Sequence, residues 1–187
     1  ASMLFGRGST GGAVNQVSKA PRLIDTHQVD LTLGNHAYRR VTGDFNWHTG
    51  ENAALRINAM ATKANNNGAG SSLDKNGIAG TYAWGIGTRD ECAVSLYHLD
   101  NNNGMNYGMP WIRPTANAGV AGTTLLPLDP ANYYGAKSDY NDGSASMVTL
   151  SHVHRFEGSA ELKTQVRAGQ FERDQRAGAI RLAAAAQ

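Results

Sequence analysis

Three groups of residues in this chain have types and spacings that could do chemistry. The first is "LFGRGSTGGAVNQVSKAP", Leu4 to Pro21, which contains Gly6-x-Gly8-x-x-Gly11. That is the spacing of a dinucleotide loop, whose backbone N–H groups cradle a pyrophosphate at a helix N-terminus. The second is a polar stretch from Asn101 to Gly143 that gathers Tyr107, Trp111, Tyr133, Tyr134 and Tyr140 with the cations Arg113 and Lys137. The third is His152-x-His154. On a strand this pair puts two imidazoles on one face, which is half of a metal site. Two ligands with no third neighbour do not make one. Beside a short turn they read as groups at a polar interface, and no metal site and no catalytic residue is assigned.

The glycine loop fails as a nucleotide site on its context. A dinucleotide fold needs a strand before the glycines and a helix after them. Here "AVNQVSKAP" follows: Val14 and Val17 are β-branched, Asn15 and Ser18 favour turns, and Pro21 stops the run. A phosphate loop fails too, because Gly11 is followed by Gly12-Ala13 rather than by Lys and Ser or Thr. What remains is a tight segment in which backbone approaches backbone.

The elements that must position these groups are strands. In "HQVDLTLGN", Val29, Leu31 and Leu33 oppose Gln28, Asp30 and Thr32. In "YRRVTGDFNW", Val41, Gly43, Phe45 and Trp47 oppose Arg40, Thr42, Asp44 and Asn46. In "ALRINAMATK", Leu55, Ile57, Ala59 and Ala61 oppose Arg56, Asn58, Met60 and Thr62. Four more strands are expected in "GIAGTYAWGIG", "CAVSLYHL", "SMVTLSHVH" and "ELKTQVRAGQF". Strict alternation makes one face apolar and one polar. The polar face is expected to carry Arg40, Asp44, Arg56, Lys63, Lys163 and Arg167.

Composition agrees with an all-β chain. Among 187 residues there are 22 glycines, and asparagine clusters at Asn65–Asn67 and Asn101–Asn103; both residues favour turns over helix. The net charge of +2 is too mild for a nucleic-acid surface. Cys92 is the single cysteine, so no disulfide framework can be built. No apolar run approaches the roughly 18 residues of a membrane helix, which leaves a membrane β-barrel open.

Alternation alone fits a soluble β-rich module or sandwich as well as a barrel. Three features favour the barrel. The connections are short at one end and long at the other, with a loop from about Asn65 to Gly77 and one of roughly forty residues from Asn101 to Gly143. The strands run to about ten residues, the span of a tilted membrane strand. Trp47, Tyr82 and Trp84 sit near strand ends or on apolar faces, as in an aromatic girdle.

The opening stretch resembles the end of the plug domain of TonB-dependent outer-membrane receptors, ferric-siderophore receptors in particular. That plug closes with a similar Leu-Tyr-Gly-x-x-Ser-x-Gly-Gly, then Val-Asn and Lys-x-Pro. The matching positions are Leu4, Gly6, Ser9, Gly11, Gly12, Val14, Asn15, Lys19 and Pro21, with Phe5 and Thr10 as mild departures. Further along, "VDLTLGNHAYRRVTGDFNW" is similar to the family's first barrel hairpin and "LRINAM" to its third strand. "NYGMPWI" and "ANYYGAKSDYND" resemble segments of a long extracellular loop.

The resemblance implies a fold and a function. Residues 1–24 would end a plug domain, with Gly6, Arg7, Gly8, Gly11, Gly12 and Asn15 in its closing motif. Residues 25–187 would form about seven strands of an antiparallel transmembrane barrel of roughly 22 strands, with a long extracellular loop at about 101–143. From Ala1 to "GAIRLAAAAQ" the chain reads as part of something longer, since seven strands alone leave two open edges.

The implied activity is import of a ferric siderophore across the bacterial outer membrane, energised through TonB, with no bond broken and no resident cofactor. Iron arrives as cargo in its chelate. A receptor for another nutrient, such as haem or a vitamin, is the alternative within the same architecture. The implied partners are the siderophore, TonB and outer-membrane lipid. Catecholate chelates are flat and anionic, so the ligand-contact candidates are Tyr107, Trp111, Arg113, Tyr133 and Tyr134. Arg7 is a candidate partner for a carboxylate such as Asp44.

Overall fold

The computed structural model describes residues 18–65, 71–105, 108–112 and 124–178. Seven strands form one antiparallel sheet: β1 (Thr26–Leu33), β2 (Arg39–Gly50), β3 (Ala53–Asn65), β4 (Ser72–Trp84), β5 (Asp90–Asn103), β8 (Tyr140–Arg155) and β9 (Glu161–Arg176). They lie side by side in chain order. The connection between β5 and β8 carries a separate two-residue ladder, β6 (Trp111–Ile112) with β7 (Thr124–Leu125). No helix occurs among the described residues.

The hairpin connections are of two kinds. At one end the turns are tight. Gly85 in the β4–β5 turn has a φ of +69°, and a Cβ there would collide with the carbonyl of Asp90, so that turn needs glycine. Arg155 ties this turn to the next: its guanidinium donates to the Thr88 carbonyl at 2.7 Å and meets Glu91 and Glu161 at 3.0 Å each. At the opposite end, β1 and β2 are joined by a tight turn with His36 and Ala37 at φ near +57° and +55°. The β3–β4 and β5–β8 connections leave from that same end. Both strand sets are longer there than the sequence suggests.

The loop expected from Asn65 to Gly77 is shortened because β4 begins at Ser72, and the loop expected at 101–143 lies between Asn103 and Tyr140. Asparagine favours turns in isolation, but a neighbouring strand that offers ladder partners overrides this. Asn101, Asn102 and Asn103 pair in register with Gly143, Asp142 and Asn141, and the Asn103 side chain accepts from the Asp74 backbone at 3.2 Å.

Register carries the face pattern across the whole sheet. Trp47, Leu55, Tyr82, Val94, Leu150 and Val166 form one cross-strand row, and Phe45, Ile57, Gly80, Leu96, Val148 and Ala168 the next. The apolar band does not stay on the same rows. In β1 it is Val29, Leu31 and Leu33; in β9 it is Leu162, Val166 and Ala168, rows nearer the tight turns. A band level in space but drifting in register requires strands tilted against it, as barrel closure does.

The burial is inverted relative to a soluble sheet. The large apolar side chains of that face are exposed, Leu96 at 57 % and Leu31 at 65 %, whereas Asn46 and Thr62 on the polar face are 2 % exposed. Among the described residues no large side chain is fully buried. A water-soluble sheet would place its apolar face inside a core; a sheet facing hydrocarbon has no reason to.

One expectation is corrected. Lys63 is not on the polar face with Arg56 and Arg167. It shares parity with Leu55, Ile57 and Ala59, pairs in register with Asp74 across from β3 to β4, and meets its carboxylate at 2.8 Å. It lies past the end of the apolar band, beside the long connections, where a charge faces water.

Candidate ligand-binding site

The polar face holds the densest set of charges and the only chain segment seen lying over the sheet among the described residues. Residues 18–25 run across β2 and β3 and are held there through their backbone. Asn46 accepts from the Arg22 N–H at 2.9 Å and donates to the carbonyls of Arg22 and Ile24 at 2.7 and 2.5 Å. The Asp25 carboxylate accepts from the His48 N–H at 2.6 Å. These bonds explain why Asn46, a polar residue mid-strand, is buried: every one of its polar atoms has a backbone partner.

Beside this lies a three-member cluster. Arg56 grips Asp44 in a two-pronged fork, Nε to Oδ1 and Nη2 to Oδ2, both 2.8 Å. Its third nitrogen donates to the Ala20 carbonyl at 2.8 Å. Lys19 reaches the same carboxylate at 2.6 Å. Asp44 and Arg56 side chains are only 14 % and 15 % exposed, so the pair holds charge in a sheltered place, which a bidentate geometry makes tolerable. Both Asp44 oxygens are thus occupied by groups of the described chain. The candidate partner Arg7, with Gly6, Gly8, Gly11, Gly12 and Asn15, lies outside the described residues.

A concavity of about 200 Å³ opens next to the cluster, lined by Lys19, Arg56, Asn58, Tyr97, Thr149 and Arg167 among others. Arg167 is steadied by a bond to the Thr149 hydroxyl at 3.2 Å. Polar and apolar groups share the wall; Lys19 and Arg56 are paired with Asp44, and Arg167 is the cation there that could meet an anionic solute.

The long connection presents the aromatic candidates differently. Tyr107 and Arg113 lie outside the described residues. Trp111 stands in β6 with half its surface exposed. The hydroxyls of Tyr133 and Tyr134 are engaged within the connection. Tyr133 donates to Asp139 at 2.7 Å and Tyr134 to the Asp129 carbonyl at 2.8 Å. Asp139 also accepts from the N–H groups of Ala136 and Gly178, at 2.9 and 2.7 Å, which fastens the connection to the end of β9. Gly135 leaves room for this bond, since a Cβ there would press on the Tyr133 hydroxyl and the Asp139 carboxylate and make them shift. Burial, reinforced by the Asp139 bond, pushes the Tyr133 phenol up to about 12. The same phenol, then the two N–H donors, hold the Asp139 carboxyl below its usual range.

Sequence reasoning missed Lys19 and Asn46 as the residues that seat the first segment. The signal was present in part: both sit at polar-face positions or beside Pro21, where a chain must leave one element for the next. Their pairing needed the register of β2 against that segment, which spacing does not supply.

No family model matches the chain. Curated relatives do. The catecholate siderophore receptor Fiu of Escherichia coli K12 is 30% identical over 178 residues, 91% of this chain and 23% of that protein. The probable TonB-dependent receptor BfrD of Bordetella pertussis is 30% identical over 156 residues, 82% of this chain and 21% of that one. The crystal structure of Fiu in its open form superposes with a TM-score of 0.81 at 25% identity, over 94% of this chain and 28% of that one.

Over most of its length the chain is similar to TonB-dependent receptors.

The siderophore receptor PiuA of Acinetobacter baumannii, at 21% identity and a TM-score of 0.82, adds support for the receptor fold alone. The chain spans about a quarter of the length of the curated relatives it matches, 23% in the case of Fiu. Within the receptor fold its seven-stranded sheet is barrel wall, the apolar face is the outer surface, and the polar face lines the interior.

Proposed function

We propose that the chain is part of an outer-membrane receptor that binds ferric-siderophore complexes and imports them with TonB-coupled energy. The observation that carries this is the inverted sheet, apolar outside and charged inside, in a chain that aligns over 91% of its length with a catecholate siderophore receptor. On this reading residues 1–24 end the plug and residues 25–187 begin the barrel. Lys19, Arg22 and Ile24, bonded to Asp44 and Asn46, are the plug's exit onto the wall. No bond is made or broken in transport. The protein supplies a cationic lumen and a movable segment, and iron enters as cargo, with no resident cofactor.

The ligand-contact group proposed is Tyr107, Trp111, Arg113, Tyr133 and Tyr134. With their hydroxyls engaged, Tyr133 and Tyr134 would offer ring faces rather than donors, and Arg113 would supply the charge. The test is uptake of radiolabelled iron by iron-starved cells whose only catecholate receptor is the complete receptor containing this chain. Uptake of ferric catecholates that depends on both the receptor and TonB is expected. Uptake unchanged on deleting either would refute the proposal.

A further inference from the structure

His152 and His154 do have a third neighbour. β5 and β8 are joined only by the long connection, yet their register sets Asp90 opposite His154 and Cys92 opposite His152. All four alternate onto the outer face, below Val94 and Leu150 and beside the tight turns, where the apolar band ends. The Asp90 Oδ1 atom lies 2.6 Å from His154 Nδ1 and 3.0 Å from His152 Nε2. One ligand atom from each of the three residues falls within 4.8 Å of the others. The His154 ring is further fixed edge-on against Phe156, with centroids 4.6 Å apart.

We propose that Asp90, Cys92, His152 and His154 bind one divalent transition-metal ion of the Zn2+ class, pinning β5 to β8 at the tight-turn end. A carboxylate, two imidazoles and a thiolate are ligands zinc accepts, and four of them complete a tetrahedron. Ligand atoms around tetrahedral zinc stand about 3.3 Å apart, so the two Asp90–imidazole contacts need to lengthen by less than an ångström. The ion takes the place of the hydrogen bonds between Asp90 and the two rings; each neutral ring then carries its proton on the other nitrogen, and the thiol proton of Cys92 is released on binding. Cys92, opposite His152, has its Cβ within about 5.5 Å of that residue's Cβ by strand pairing, close enough to swing in as the fourth ligand. The position gives the ion a structural task. The pairs β1–β2, β2–β3, β4–β5 and β8–β9 are joined by short turns, whereas β5 and β8 are separated by the residues between Asn103 and Tyr140.

The test uses the complete receptor, purified from outer membranes in detergent and stripped with a chelator. Titration with zinc chloride is expected to give saturable binding of about one ion per chain. Asp90→Asn and His154→Ala should each weaken it at least about tenfold, in the range seen for disturbed metal shells. The Co2+-loaded protein should show a thiolate-to-cobalt charge-transfer band that Cys92→Ser removes. Equal zinc binding by the wild type and the Asp90→Asn/His152→Ala/His154→Ala variant would overturn the proposal, as would a cobalt complex lacking the thiolate band. Gel mobility before and after heating confirms that each variant is a folded barrel. Siderophore uptake should be retained in all of them, which separates this inference from the transport reading.

Discussion

Two aspartates on opposite faces of this sheet make an instructive pair. Asp44, on the inner face, is held by Arg56 and Lys19, and Asp90, on the outer face, by His152 and His154. Each carboxylate has two basic partners on a strand or segment other than its own. The difference lies in the partners. Guanidinium and ammonium groups keep their charge and cannot ligate a metal in that state, so the inner cluster is a permanent clamp on the segment at Ala20. A neutral imidazole has a ring nitrogen able to ligate a metal ion, so the outer cluster has a ligand chemistry the inner one lacks. Burial follows the same division: the inner pair is sheltered under residues 18–25, and the outer one stands open at the edge of the apolar band.

The largest expected effect tests which face meets lipid. Leu96→Arg should destabilise the folded barrel in bilayers by about 3 kcal/mol, because a charge placed in hydrocarbon is costly. Ser95→Arg, one residue along and facing the lumen, should cost well under about 1 kcal/mol. Urea unfolding in lipid vesicles measures both, and equal costs would break the distinction between faces.

A smaller effect is expected inside. Arg56→Met leaves Asp44 sheltered with only Lys19, and stability should fall by about 2 kcal/mol, discounted from a fully buried pair for the residual exposure. Residues 18–25 should also become easier to label in the same protein. On the outer face, without metal, Asp90→Asn should cost less than either of these, as exposed pairs do. Zinc added at a hundred times its dissociation constant should raise the wild type's melting point by clearly more than that variant's.

The smallest effect lies in the long connection. The Tyr133 phenol is raised from 10.0 to about 12, so the folded state holds its proton more tightly than the unfolded one. That contribution to stability is present in full below about pH 10 and disappears as pH rises to about 12. Asp139 acts in the opposite sense, its contribution being lost as pH falls through its lowered folded value. Ultraviolet titration of phenolate should show a late-ionising component that Asp139→Ala moves to lower pH and Tyr133→Phe removes.

Most of the sheet was legible in the sequence because period two is unmistakable in β1 to β3. The strand extensions were not, since Asn101–Asn103 and Ser72–Gly77 have turn-forming compositions and become strand only through partners on neighbouring strands. Lys63 was assigned to the polar face on its charge, when counting from Leu55 places it outside. The aromatic positions Trp47, Tyr82 and Trp84 could be read as a girdle, and they do lie together near the tight turns, with ring contacts at 5.9 Å within β2 and within β4. The metal ligands were half legible. His152-x-His154 was visible, but Asp90 enters only through the β5–β8 register. One clue was available: Asp90 and His154 each adjoin a tight turn, and all the tight turns of β4–β5 and β8–β9 share one end.

The central claim is that the apolar face meets lipid and the polar face water, and spin labels test it directly. In a Cys92→Ser background of the complete receptor in bilayers, labels at Leu96, Val148 and Val166 should collide freely with oxygen and poorly with a water-soluble nickel complex. Labels at Ser95, Thr149 and Arg167 should show the reverse. Alternation of that sign along β5, β8 and β9 is the predicted result; nickel access equal at both sets of positions would contradict it.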